Sequence, residues 1–259
     1  MLLKGVIQNM PTSIKLPQGM AYGWWYFPKE LLHDLVFEVE FVSGDERSPG
    51  RYFQLYQGYI GGYGIYFGFQ TDIFRPGVGW QGHGLIFSRW GTRDDEDAAS
   101  TTGGWVENSG HEGNFVGVRS LFDWRCGRYL CWLSPCREEA EATWYEFRVR
   151  RLSDGQEATA GSLRFPHVDG QRPLIHSGGG SWTEVYSGVA IAEDVPTTQF
   201  EVRYVHADNN SIVPIRCDTN YNSNYPCADA VVTSEGILSL RSGCGVSQIH
   251  PAQQYDSCD

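Results

Sequence analysis

Apolar and polar residues alternate with a period of two along many short segments of this chain, and glycine and proline punctuate them. That pattern selects β-strands with one buried face and disfavours helices, whose apolar positions recur every three to four residues. The run Tyr63-Gly64-Ile65-Tyr66-Phe67-Gly68-Phe69-Gln70 is the clearest case. Ile65, Phe67 and Phe69 point one way, toward a core. Gly64, Tyr66, Gly68 and Gln70 point the other, as a shelf of rings and amides with two glycines that leave room above it.

The same reading extends along the chain. In residues 35–42, Leu35, Phe37, Val39 and Phe41 face inward, with Glu38 and Glu40 outward. Residues 51–57 set Phe53 and Leu55 inward and Tyr52, Gln54 and Tyr56 outward. Residues 143–150 set Tyr145, Phe147 and Val149 against Trp144, Glu146, Arg148 and Arg150. Further strands are predicted at 85–90, 115–121, 128–133, 163–165, 181–186 and 198–206, with a hairpin turn at 123–127 and a long polar loop at 91–113. About ten short strands separated by turn residues predict an all-β fold, an antiparallel β-sandwich or jelly roll. No internal repeat supports a propeller or solenoid. A chain of 259 residues accommodates one such domain, placed at 1–206, and a Cys-rich, loop-rich segment at 207–259.

Seven cysteines are present and four fall in the last 43 residues, where hydrophobic patterning fades. None forms a C-x-x-C pair, so a zinc ribbon or redox motif is disfavoured. The distribution predicts disulfide stapling in an oxidising compartment. Proximity nominates Cys217 with Cys227 and a pair among Cys126, Cys131 and Cys136, leaving one thiol free or paired between chains. The start MLLKGVIQNM has no long apolar core, so an extracellular protein would have lost its signal peptide. The sequon Asn209-Asn210-Ser211 adds weak support for secretion. No run is long enough to span a membrane. A formal net charge of −11 argues against nucleic acid as a partner.

Several motifs occur in order: Tyr66-Phe67-Gly68-Phe69-Gln70, Ile86-Phe87-Ser88-Arg89-Trp90, Gly117-Val118-Arg119, Phe122-Asp123-Trp124, Gly127-Arg128-Tyr129 and Thr143-Trp144-Tyr145. The set resembles the domain-of-unknown-function 3472 family over roughly residues 20 to 190. The resemblance implies a concanavalin-A-like sandwich in a carbohydrate-related setting. It implies no established activity and brings no catalytic residues with it.

The outward positions nominate a ligand surface: Tyr52, Gln54, Tyr56, Tyr66 and Gln70 from the first half, Trp144, Trp182 and Tyr186 from the second. Rings and planar amides on a sheet suit a glycan, because one face of a pyranose is a patch of C–H groups against which a ring packs. A glycoside hydrolase needs two carboxylates ~5 Å or ~6.5–9.5 Å apart, and Glu146 and Glu184 are the candidates. A polysaccharide lyase would use Arg119 and Gln70 to neutralise a uronate, with Tyr66 or His83 as base. A third class is a structural extracellular protein that self-associates through the aromatic surface. No cofactor is expected. Calcium is admitted only at Asp94, Asp95, Glu96 and Asp97, where a solvated charge run is the simpler reading.

Overall fold

The computed structural model describes residues 13–109, 113–189, 191–222, 227–247, 250–252 and 254–256. Two antiparallel sheets face each other. The front sheet runs, in order, Trp105–Ser109, Phe115–Leu121, Gly84–Trp90, Tyr63–Gln70, Gly50–Ile60, Gly179–Ser187, Gln18–Tyr26, Arg216–Tyr221 and Gln254–Asp256. The back sheet runs Ala228–Val232, Leu238–Ser242, Thr198–Ala207, Leu35–Ser43, Gly127–Glu139, Ala142–Arg151, Glu157–Pro166 and Ala98–Ser100. The expected sandwich is therefore present.

Aromatic rings from both sheets fill the space between them. Phe41 of the back sheet meets Phe53 at 5.1 Å and Phe69 at 4.9 Å from the front sheet, and stacks on Phe200 at 5.2 Å. Trp124 wedges in at 4.6 Å from Phe41 and donates its Nε1–H to the Gln70 carbonyl at 3.0 Å. This explains why residues 123–127 are not the hairpin turn that the sequence predicts. Phe115–Leu121 lies in the front sheet and Gly127–Glu139 in the back, so the segment crosses between sheets with Trp124 as its buried plug. The loop expected at 91–113 also carries two edge strands, Ala98–Ser100 and Trp105–Ser109, one for each sheet.

One extra residue redirects a predicted site residue. The register shifts between Gln54 and Tyr56. Leu55 and Tyr56 both turn into the core, and the outward sequence resumes at Gln57. Tyr56 is fully buried and its hydroxyl donates to the His176 carbonyl. Gly179 makes room for the ring, since a Cβ there would stand 2.1 Å from Tyr56 Cζ. Gly179→Ala is thus expected to destabilise by about 1–3 kcal/mol, read as a lowered urea midpoint with an unchanged slope.

Residues beyond 207 contribute to both sheets. Arg216–Tyr221 pairs with Gln18–Tyr26, and Leu238–Ser242 pairs with Thr198–Ala207. The expected staples are not formed: Cys126, Cys131, Cys136, Cys217, Cys227 and Cys244 are free thiols. Cys217 is buried in the front sheet, whereas Cys227 precedes the back-sheet strand Ala228–Val232. Cys131 points into the core while Cys136 is exposed further along the same strand, roughly 16 Å away at ~3.3 Å per residue. Cys258 lies outside the described residues.

Hydrogen bonding holds this segment instead. Asp229 is fully buried, bonded to Arg241 and to His250 through its backbone N–H and Nδ1, each at 3.0 Å. Burial pushes the Asp229 carboxyl up, but the His250 and Arg241 hydrogen bonds outweigh it and hold the group below its usual range. A depressed folded-state pKa stabilises the fold above the unfolded value of ~3.9 and stops doing so as pH falls through the folded value. Asp229→Asn is expected to cost about 1.5–3 kcal/mol at neutral pH. Urea titrations should show the gap to wild type closing below about pH 4.

Candidate functional site

The outer face of the front sheet holds a groove of about 470 Å³, inside the ~300–1,000 Å³ range of small-ligand sites. Its residues come from six neighbouring strands whose register sets them in rows. In one row Arg119 stands opposite Ile86, Gly68 opposite Gln54, and Gln54 opposite Trp182, which faces Tyr22. In the next row Gln70 stands opposite Tyr52 and Tyr52 opposite Glu184.

The floor is polar and closed. Gln54 is 1% exposed and its Nε2 donates to the Gly180 carbonyl at 3.3 Å. Arg119 is buried, donates to Ser88 Oγ at 3.0 Å and pairs with Glu107 Oε2 at 3.2 Å. Tyr52 is 4% exposed, and its hydroxyl has no hydrogen-bond partner among the described residues. Burial first, then the Tyr66 and Glu184 charges, push this phenol well above its usual range, with Arg119 opposing. Tyr52 therefore keeps its proton, and a buried O–H without an acceptor costs about 1–3 kcal/mol.

Ring pairs form the walls. Trp182 lies 5.9 Å from Tyr22 and 6.2 Å from Trp24, and Tyr66 lies 4.9 Å from Trp90. The space over the glycines is not bare, as the sequence suggested. A Cβ on Gly64 would meet Trp90 at 3.5 Å, one on Gly68 would meet Tyr52 at 3.0 Å, and one on Gly180 would meet Trp24 at 2.8 Å. Gly180 makes room for the Trp24 ring, while at Gly68 the nearest obstacle is the Phe53 carbonyl at 2.1 Å.

A small hairpin, Phe74–Arg75 with Gly79–Trp80, covers one end. Trp80 stacks on Tyr186 at 5.9 Å and 23°, and Phe74 packs on Trp80 at 5.2 Å. The base of the hairpin is fixed: Tyr186 donates to the Asp72 carbonyl at 2.5 Å, and Arg47 bonds both the Trp80 carbonyl and Asp72 at 2.9 Å. Phe74 and Trp80 remain 41% and 48% exposed, large apolar rings presented at the rim of a cavity.

The structure brings together Tyr52, Gln54, Tyr66, Gln70, Arg119, Trp182, Glu184 and Tyr186, all lining the groove. It separates three others. Tyr56 is in the core, through the bulge. Trp144 and Glu146 lie on the outer face of the back sheet, because their strand Ala142–Arg151 pairs there. Trp144 is buried under Arg137, 3.8 Å from its ring, and donates to Glu139 at 2.7 Å. Glu146 and Glu184 thus sit on opposite outsides of a sandwich ~10 Å thick between its sheets. Glu107 shares the groove with Glu184, on the edge strand Trp105–Ser109, and is ion-paired with Arg119 at 3.2 Å. The Glu146–Glu184 pairing therefore does not meet the spacing of a two-carboxylate glycosidase.

His83, considered as a lyase base, is engaged elsewhere: its Nε2 contacts the Asp45 carbonyl at 2.6 Å and its ring packs on Trp124. The acids at 94–97 are used locally. Asp94 caps a short 3-10 turn, Asp95 accepts from Asn108 at 2.6 Å, and Asp97 pairs with Arg89 and Arg164, each at 3.5 Å.

Sequence reasoning missed Tyr22, Trp24, Gln57, Trp80, Trp90 and Glu107. Trp90 was accessible, since alternation along Gly84–Trp90 puts it on the face opposite Phe87. Trp24 and Trp25 carry a similar signal, one exposed and one buried with its Nε1 on Ser181 at 2.8 Å. The hairpin that delivers Trp80 has no such pattern.

No family model and no curated protein matches this chain. Among solved structures it is similar to scytalido-glutamic peptidase bound to a transition-state analogue inhibitor, with a TM-score of 0.47 and 8% identity over 88% of this chain and 100% of that one. A second structure of scytalido-glutamic peptidase, with a peptide-based transition-state analogue, gives 0.45 and 9% over the same shares. Similarity at that level reaches neither substrate nor mechanism.

Proposed function

We propose that this protein is a carbohydrate-binding β-sandwich that holds a glycan in the front-sheet groove, and that it works outside the cell, where such polymers are found. The observation that carries the reading is the set of ring pairs Trp24–Trp182, Tyr66–Trp90 and Trp80–Tyr186 around an amide- and phenol-bearing floor. Rings supply flat apolar surfaces for the C–H faces of sugars, while Gln57 and Gln70 address their oxygens. Binding without cleavage is favoured over glycoside hydrolysis because the two carboxylates that the sequence nominates, Glu146 and Glu184, lie on opposite faces of the sandwich and cannot share one glycosidic bond.

Incubation with a polysaccharide panel, assayed for retention and for new reducing or unsaturated ends, tests the reading. Retention without new ends is expected. New ends would make the protein an enzyme, and no retention on any glycan would remove the reading.

A further inference from the structure

We propose that Asn209 is an N-glycosylation site, and that the sugar chain it carries stands clear of the groove. The inference rests on the extracellular part of the proposed function and goes beyond it.

Asn209-Asn210-Ser211 is the one Asn-x-Ser/Thr triplet in the chain, and its middle residue is not proline, as transfer to the acceptor amide requires. The fold sets it on a braced, outward-facing turn. Ala207 and Ile212 bond each other's backbone at 2.9 and 3.2 Å and close the loop. Asp208, Asn209 and Asn210 all hold left-handed backbone, with φ of 51°, 57° and 65°. Asn and Asp tolerate that region better than most residues with a side chain. Neighbours fix it. The Asp34 carboxylate accepts the Asn209 N–H at 3.1 and 3.2 Å, and Asp208 accepts the His33 N–H and pairs with Lys29, each at 2.6 Å.

All of these bonds use the Asn209 backbone or its neighbours. Asn209 itself is exposed, and its side-chain amide makes no hydrogen bond among the described residues. A bulky, hydrated oligosaccharide can therefore take the place of one amide hydrogen without displacing a contact. In the transfer, Nδ2 of Asn209 attacks the anomeric carbon of an oligosaccharide carried on a lipid diphosphate. The new N–C bond replaces the C–O bond to the diphosphate, which leaves with the bonding pair, and Nδ2 gives up one proton. Transfer acts on the chain before the turn closes, when the Ser211 hydroxyl is not yet donating to the Asp208 carbonyl, as it does at 2.6 Å in the fold. The fold decides whether the product is accommodated, and an exposed side chain on a backbone-held turn accommodates it. The turn follows the back-sheet strand Thr198–Ala207 and leans on residues 29–34, none of which lines the groove.

Passage of the full chain through a eukaryotic secretory pathway, followed by intact-mass and peptide mass spectrometry, tests this. The secreted protein should carry one sugar chain, at Asn209, that peptide-N-glycosidase removes. Asn209→Gln and Ser211→Ala should each abolish the mass shift, and Asn210→Gln should keep it. Retention on the polysaccharide panel should be equal before and after enzymatic removal. A secreted chain bare at Asn209, or one that aggregates once it is glycosylated, would overturn the assignment. Retention that changes on removal would overturn the placement clear of the groove. No retention on any polysaccharide by a protein occupied at Asn209 would remove the glycan reading and leave the site, whereas retention by a chain bare at Asn209 would do the reverse. Occupancy is measured on the unaltered protein, so the test stands even if a variant does not fold.

Discussion

Phe41→Ala is expected to lower stability by about 3–5 kcal/mol and the thermal midpoint by roughly 10 °C for a chain of this size. Phe41 is 1% exposed and its ring touches Phe53, Phe69, Trp124, Tyr129 and Phe200. Those rings come from both sheets and from the crossover segment, so no single neighbour can collapse into the space without dragging its strand. The cost therefore belongs at the upper end of large-to-small substitutions, where little of the cavity closes. Because Gln70 is tied to Trp124 through its carbonyl, the groove should loosen as well. Thermal unfolding followed by circular dichroism checks the first expectation, and glycan affinity measured below the midpoint checks the second. A loss under about 1 kcal/mol would mean that the two sheets do not depend on this hub.

Trp182→Ala is expected to weaken glycan binding about thirtyfold, the factor given by about 2 kcal/mol for a central aromatic anchor. Trp182 faces Gln54 across one strand boundary and Tyr22 across the other, and it supports both Tyr22 and Trp24. Its removal deletes one stacking surface and unseats another. Trp182 is only half-buried, so the effect on folding should be smaller than that of Phe41→Ala. Affinity and stability measured on the same variant separate the two: the binding loss should exceed the folding loss.

The sequence carried the direction of each side chain better than its address. Alternation along Tyr63–Gln70 correctly divides Ile65, Phe67 and Phe69 from Tyr66 and Gln70, because a half-buried strand leaves that pattern whatever its neighbours are. Which sheet a strand joins leaves no local trace. Trp144-Tyr145-Glu146 and Trp182-Thr183-Glu184 read alike, yet one lies on the back sheet and the other in the groove. The bulge at Gln54 and Tyr56 also escapes pattern reading, since one inserted residue reverses every outward assignment after it until the strand ends. Cysteine spacing misled for a related reason. Cys217 and Cys227 are ten positions apart in sequence but belong to segments joining different sheets.

Titrating the preferred glycan into Trp182→Ala and Trp144→Ala side by side, each first shown to be folded, tests the central claim most directly, because the two tryptophans mark opposite faces of the same sandwich. Binding should fall about thirtyfold in Trp182→Ala and stay near the unaltered protein's value in Trp144→Ala. The reverse pattern, or equal loss in both, would contradict a binding groove on the front sheet.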